Sequence, residues 1–276
     1  MRQKNSVSNA CLLSEVDRLV GLLHRGYPIK LGAIPWASPV LAFGDPINSR
    51  VATLGLNPSN LEFVDRNGCE LHPPHHRFES LSTLQISNWG GVDKNEVCRV
   101  LHACENYFYG NPYNQWFKRL ERLLVDTGSS YYTSLGLKAC HLDLVPFATL
   151  EKWSSLKSAK KAQLIELGIP SLVKTIFASD IRVLILNGSA VVKEFSRIVP
   201  NESLKAQEMS AWSLQGGRVQ GVGYIGRVSQ LSGFKLDREL LVLGYNHNIQ
   251  SSFGVTSEAV ARIATWIGRC SAEAIA

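Results

Sequence analysis

Four short apolar segments constrain what this chain can fold into more than any other feature. They cover residues 51–55, 138–145, 181–186 and 239–245, and each carries or precedes a cluster of polar residues. The stretches between them have the apolar spacing of helices. Strands that alternate with helices favour right-handed crossovers and a mostly parallel sheet. We therefore expect an α/β fold, a three-layer α/β/α sandwich around a central, mostly parallel four-stranded sheet.

The segments outside these strands predict the remaining elements. Apolar spacing predicts helices over residues 12–27, 94–107, 116–125, 156–167, 171–178, 189–199 and 257–270. Gly168 and Pro170 predict an interruption between the fourth and fifth of these helices. Alternating residues around Gly216 and Gly217 predict a β-hairpin over residues 211–230. With no internal repeat and no low-complexity linker, we expect a single domain over residues 1–276 with an N-terminal helical extension over about residues 1–38.

Charge and composition limit the class of protein. The formal net charge of +6 and the pI near 9.0 suit a polyanionic partner such as DNA. Hydrophobic residues make up 45% of the chain and charged residues 19%, which is ordinary for a globular protein. No stretch of about eighteen apolar residues predicts a membrane span, and no signal pattern opens the chain. We expect a cytoplasmic protein, a monomer with no membrane partner.

Cysteine and histidine spacing argues against a metal centre. The six cysteines contain no Cys-x-x-Cys pair, which argues against a zinc ribbon and a four-cysteine iron–sulfur cluster. His72, His75 and His76 lie close together, but the prolines between them prevent the helical spacing of a zinc-binding pair. We interpret that loop as solvated or phosphate-facing. No metal and no organic cofactor is expected.

A polar loop leaves the carboxyl end of the first predicted strand. Gly55 allows a close approach of the backbone, and Asn57, Pro58 and Ser59 are turn-forming residues. Ligands of open α/β sheets bind at the carboxyl ends of strands. The loop is therefore a candidate site, and the alternative is a simple turn.

Two motifs resemble those of the uracil-DNA glycosylase superfamily. Its first motif is a strand ending in Gly-x-Asn-Pro or Gly-x-Asp-Pro, and this chain has Gly55-Leu56-Asn57-Pro58. Its last motif is a strand ending in a His-containing loop, and this chain has Asn246-His247-Asn248. The resemblance covers the chain from about residue 40 to the final helix. It implies base excision from DNA, in which the target base is rotated out of the duplex into a pocket.

The resemblance also implies the two catalytic residues. Asn57 would position the attacking water, although an amide cannot take its proton. His247 would donate a hydrogen bond to the departing base. The proline of the superfamily's His-Pro-Ser motif is missing here, so Asn246 or Asn248 could be the donor instead.

Asp143 departs from the superfamily pattern in a way that bears on the substrate. Uracil-specific relatives present an Asn at this place, whereas an ionised carboxylate only accepts hydrogen bonds and would repel uracil O4. A carboxylate suits the exocyclic amine of a cytosine-like or adenine-like base. The alternative is that Asp143 caps a turn or pairs with a basic side chain.

The remaining candidate residues follow Asn57 or His247 along the chain. Glu62 could supplement Asn57 or contact the base, and Phe63 and Phe78 could stack on it; the alternatives are a surface acid and two core residues. The candidate DNA contacts are hydroxyl and amide side chains, namely Ser59, Asn248, Gln250, Ser251 and Ser252.

The sequence thus predicts a DNA glycosylase that hydrolyses the N-glycosidic bond of a flipped-out damaged or modified base. A modified cytosine of viral DNA would suit Asp143 and would make the protein an antiviral defence enzyme. The first alternative is a uracil or mismatch repair glycosylase. The second is a non-catalytic DNA-binding module on the same fold.

Overall fold

The computed structural model of the protein describes residues 2–133, 135–250 and 254–275. Its helices are α1 (Arg2–His24), α2 (Tyr27–Lys30), α3 (Leu81–Leu84), α4 (Lys94–Glu105), α5 (Asn114–Glu121), α6 (Ser158–Ala178), α7 (Ser189–Phe195) and α8 (Ser257–Ile275). Its strands are β1 (Ser49–Gly55), β2 (Ser129–Ser130), β3 (Leu137–Asp143), β4 (Val183–Asn187), β5 (Lys205–Glu208), β6 (Val222–Leu231) and β7 (Phe234–Tyr245). The expected α/β class is confirmed.

The strands of the described residues form one seven-stranded mixed sheet in the order β2-β3-β1-β4-β7-β6-β5. The pairs β1 with β4 and β4 with β7 are parallel, whereas β6 is antiparallel to both β7 and β5. The expectation of four strands is wrong. The four predicted strands are the contiguous centre β3-β1-β4-β7, and the missed strands lie at the two edges.

The central strands share a buried, mainly apolar stretch, which covers residues 51–55 of β1, 139–142 of β3, 183–186 of β4 and 240–245 of β7. A parallel strand is buried on both faces and therefore lacks the alternation of a half-exposed strand. The register pairs Leu54 with Leu186 and Leu186 with Gly244, so these strands end at the same edge of the sheet. At that edge the Tyr245 hydroxyl donates to Asn187 Oδ1 at 2.5 Å.

The observed β-hairpin differs from the predicted one. Strands β6 and β7 are joined by Ser232 and Gly233, both with positive φ angles of 46° and 83°. The predicted hairpin over residues 211–230 has a reversal at the expected place, in a short 3₁₀ turn that contains Gly216 and Gly217, but its bounds are wrong because the paired strands are β5 and β6. Glycine marks a reversal of the chain in both places: the earlier one carries the Leu214–Val219 bridge and connects β5 with β6, and the later one connects β6 with β7.

Helix α6 runs through the predicted interruption. Pro170 lies inside the helix, where it costs one backbone hydrogen bond. Gly168 is needed for close packing, because a Cβ atom there would lie 2.1 Å from the Leu144 carbonyl oxygen. The predicted break at these residues is wrong: the helix is continuous from Ser158 to Ala178, and Gly168 serves its packing against the chain at Leu144.

The chain divides into two compact units. The first comprises Met1–Ile47, Leu56–Tyr113 and Leu142–Ser179; the second comprises Asn48–Gly55, Asn114–His141 and Asp180–Ala276. The second unit holds most of the sheet, with α7 and α8 packed against β4 and β7. The single domain over residues 1–276 stays a prediction. None of the described helices has both the length and the apolar character that crossing a membrane requires.

The N-terminal helix is part of the core of the first unit. It packs against α4 and α6 and begins ten residues before the predicted start at Leu12. Its Glu15 is fully buried and accepts hydrogen bonds from Arg18 at 2.6 Å, Ser171 at 2.6 Å and Lys174 at 2.8 Å. These bonds fix α1 to α6, so the predicted N-terminal extension is held by a buried charge as well as by apolar packing.

Candidate active site

The side chain of Asn57 is held by the first unit. Its Nδ2 donates to the Pro58 carbonyl at 3.0 Å and to Thr149 Oγ1 at 3.2 Å. The Thr149 hydroxyl in turn donates to the Glu151 carbonyl at 2.7 Å. These contacts fix the amide orientation, and Oδ1 accepts no hydrogen bond from the described residues. An amide oxygen held in this way can accept a hydrogen bond from a water molecule.

Ser59 shapes the loop after Asn57. Its Oγ accepts a hydrogen bond from the Leu61 amide at 3.2 Å and caps the 3₁₀ turn Asn60–Glu62. This cap satisfies an otherwise unpaired amide at the start of the turn. The turn carries Glu62 and then Phe63 into the interior. The predicted contact of Ser59 with DNA stays a prediction.

Glu62 is the most unusual ionisable group of the loop. Its side chain is 3% exposed, and Oε2 accepts a hydrogen bond from the Tyr107 hydroxyl at 2.8 Å. Arg77 Nε lies 3.9 Å from the same oxygen. Burial raises the pKa of Glu62 to about 7; the Tyr107 hydrogen bond and the Arg77 charge oppose this rise, and the Asp143 charge adds to it. Near neutral pH this carboxyl can therefore both donate and accept a proton.

The partners of Glu62 are themselves held by main-chain groups. The Tyr107 hydroxyl accepts from the Tyr113 amide at 2.8 Å. Arg77 donates through Nη1 to the Leu61 carbonyl at 2.7 Å and through Nε to the Asn111 carbonyl at 2.8 Å. Such contacts restrict Tyr107 and Arg77 to one orientation around the carboxyl.

Asp143 is the last residue of β3 and is half-buried. Its carboxylate is close enough to Glu62 to add to the rise in the pKa of that group. The two predicted base-contacting residues are therefore electrostatically coupled. A neighbouring pair of carboxyls in which one is readily protonated offers both a hydrogen-bond donor and an acceptor.

Phe63 and Phe78 belong to an aromatic cluster. Their ring centroids are 5.7 Å apart, and Phe78 stacks on Tyr107 at 5.0 Å with an interplanar angle of 15°. Phe43 meets Phe78 edge-on at 5.2 Å. Both predicted rings are buried, so the structure places them in the core beside Tyr107. Stacking on a base stays a prediction for both residues.

In the second unit, the side chains of His247 and Asn246 form hydrogen bonds with main-chain groups. His247 is buried, and its Nε2 donates to the Trp212 carbonyl at 2.7 Å. Asn246 accepts from the Val222 amide at 2.9 Å and donates to the Gln220 carbonyl at 2.8 Å. His247 Nε2 and the Asn246 side-chain amide are the groups that could donate to a departing base. Both already donate to main-chain carbonyls of the segment before β6. The predicted role of His247 in catalysis stays a prediction.

The predicted DNA contacts after His247 are described in part. Asn248 Oδ1 accepts from the Gln250 amide at 3.2 Å, which forms a local turn. Gln250 Nε2 donates to the Trp116 carbonyl at 3.3 Å, and the Gln250 carbonyl accepts from Arg119 at 2.9 Å. Ser251 and Ser252 lie outside the described residues.

Sequence reasoning missed three residues that position the predicted ones. Thr149 orients Asn57, and Tyr107 and Arg77 surround Glu62. The aromatic segment that contains Tyr107 is conspicuous in the sequence, whereas no pattern identifies Thr149 or Arg77.

Within the described ranges, no three His, Cys, Asp or Glu side chains converge as a metal site would require. Asn57, Glu62 and Asp143 belong to the first unit, and His247 to the second. No family model matches the chain, and no curated protein matches it.

Proposed function

We propose that this protein is a DNA glycosylase that hydrolyses the N-glycosidic bond of a flipped-out modified base. The observation that carries the proposal is the buried carboxyl of Glu62 in the loop that begins with Asn57. A solvent-excluded acid with a pKa of about 7 suits proton transfer at neutral pH. The net charge of +6 suits a DNA partner.

The proposed chemistry divides between Asn57 and Glu62. The sugar becomes oxocarbenium-like as the base departs, and the Asn57 amide oxygen would hold the water that attacks it. The departing base carries developing negative charge. A protonated Glu62 would donate to that base and make it a better leaving group. Base release should then slow as the pH rises through about 7, because Glu62 loses its proton there.

A modified cytosine is the substrate that this pair of carboxyls favours. Cytosine presents an exocyclic amine and an unprotonated ring nitrogen, so Asp143 would accept from the first and protonated Glu62 would donate to the second. Uracil presents O4 in place of the amine, and Asp143 would repel it. Modified cytosines of viral DNA would make the protein a defence enzyme. We also propose that the protein is a cytoplasmic monomer and that its fold is a three-layer α/β/α sandwich.

A non-catalytic DNA-binding module is the second candidate. The observation that favours it is the engagement of His247 Nε2 by the Trp212 carbonyl, which leaves the expected leaving-group donor occupied. A uracil or mismatch repair glycosylase is a third, favoured only if Asp143 has a structural role.

The test is formation of abasic sites in single-turnover reactions on duplexes that carry one hydroxymethylated or glycosylated cytosine. We expect the native protein to form abasic sites and Asn57→Ala to form none, while both bind the duplex with similar affinity. Thr149→Val is a matched control for the orientation of Asn57, and should slow release without abolishing it. Salt-sensitive binding without any abasic site would support the binding module instead.

A further inference from the structure

A pocket of about 820 Å³ opens in the first unit beside the Glu62 network. Its wall includes Arg77 and Tyr107, which also contact Glu62, and residues of α4. Pockets of this volume hold small-molecule ligands in many proteins. Nothing in the proposed cleavage of the glycosidic bond uses this space.

Basic side chains outnumber acidic ones in the wall of the pocket, and this composition favours an anion. Arg77, Arg99, His76 and His102 line it, and Glu79 is the one acidic residue among the described residues that do so. Glu79 is paired with Arg99 at 3.1 Å. Arg77, whose Nε lies 3.9 Å from Glu62 Oε2, and the two imidazoles are then the remaining basic side chains of the wall.

Arg77 is prepared to bind a ligand. Its Nε and Nη1 are held by the Asn111 and Leu61 carbonyls, while Nη2 donates to no residue that the structure describes. The side chain is 15% exposed, so the remaining donor is fixed and only partly hydrated. A guanidinium held in this way suits a phosphate oxygen, because little conformational freedom is lost on binding.

The histidine loop supplies a second, independent observation. Nδ1 of His76 is buried and has no hydrogen-bond partner among the described residues. Buried polar atoms without partners are rare in folded proteins and are often satisfied by a bound ion or water. The Asn111 side chain donates to the His75 carbonyl at 2.8 Å and so ties this loop to the pocket wall.

We propose that this pocket binds a phosphate group through Arg77, His76 and His102. The phosphate belongs either to a DNA strand or to a free nucleotide, and both share the same chemistry. The site does not require glycosylase activity.

The test measures binding by titration calorimetry with three probes: inorganic phosphate, deoxycytidine 5′-monophosphate and a single-stranded oligonucleotide without modified bases. The main variant is Ala103→Glu, which places a negative charge in the pocket wall on α4 without removing a hydrogen bond. His102→Gln is the second variant, since it removes one imidazole and keeps a polar side chain. Arg197→Gln is the control, because Arg197 is 60% exposed and belongs to the second unit.

We expect Ala103→Glu to weaken binding about tenfold or more, and His102→Gln to weaken it less, since like charges placed together are costly. Arg197→Gln should bind as the native protein does. Loss confined to the oligonucleotide identifies a backbone phosphate, whereas loss for the small anions as well identifies a nucleotide site. Native binding of no probe, or equal binding by the native protein and Ala103→Glu, would overturn the proposal. Phosphate binding without base release would overturn only the proposed function.

Discussion

Replacing Glu62 with glutamine should make the protein more stable and less active near neutral pH. The amide keeps the size of the side chain and can still accept from the Tyr107 hydroxyl, which lies 2.8 Å from Oε2. What it removes is an ionisable group that is 3% exposed. An ionised carboxylate in such a place costs free energy that a neutral amide does not.

The magnitude follows from the pKa of Glu62, which burial raises from 4.5 to about 7. The folded state holds its proton more tightly than the unfolded state, so stability falls as the pH rises between these two values. The native protein should lose about 3 kcal/mol of unfolding free energy across this interval, because one pKa unit corresponds to about 1.4 kcal/mol. Glu62→Gln should lack this loss. At a pH of about 8 the variant should be the more stable protein.

Urea unfolding at about pH 5 and about pH 8 measures the effect, with the free energies compared at equal m-values. Glu258→Gln is the control, because Glu258 is 73% exposed and its one ion pair within the described ranges is with Arg262 on the same helix. The unfolding free energy of Glu258→Gln should change between the two pH values by the same amount as that of the native protein. If the unfolding free energies of Glu62→Gln and of the native protein change equally between the two pH values, then the Glu62 carboxyl does not have a raised pKa in the folded protein. Loss of base release by about a hundredfold should accompany the gain in stability.

Three further changes test other parts of the molecule. Asn57→Ala should abolish base release in the single-turnover assay while DNA affinity in a filter-binding assay stays within about twofold. Asp143→Asn should relax the preference for cytosine-like bases toward uracil by about 1–3 kcal/mol, measured as the ratio of kcat/KM values for the two substrates. Glu15→Gln should lower the unfolding free energy by about 2 kcal/mol, because it removes a buried charge from Arg18 and Lys174. Burial raises the pKa of Glu15, but hydrogen bonds from Arg18, Lys174 and Ser171 outweigh burial and lower it, so this stabilisation should be lost as the pH falls.

The centre of the sheet was predictable because each of its strands contains a buried, mainly apolar stretch. The edge strands were not, and the reason differs for each. All four residues of β5 are exposed, so this strand has no apolar pattern to detect. Strand β2 has only two residues. Strand β6 was expected only as one arm of a hairpin around Gly216 and Gly217; its pairing with β7 depends on a turn at Ser232 and Gly233 that the alternating pattern did not mark.

The part of the candidate site that comes from one continuous segment of the chain was predictable. Asn57 and Glu62 lie in a single loop after β1, and the Gly-x-Asn-Pro motif marks its start. The environment of Glu62 was not predictable, because Tyr107 lies 45 positions further along the chain. The same limit applies to His247, whose partner is a main-chain carbonyl that no side-chain pattern reports.

The most direct test is mass spectrometry of free bases after the purified protein is incubated with DNA that contains uracil, cytosine, 5-hydroxymethylcytosine or glycosylated cytosine. We predict release of a modified cytosine, no release of uracil, and no release of any base by Asn57→Ala. Release of uracil alone would contradict the role of Asp143. Release of no base from any of these DNAs would contradict glycosylase activity itself.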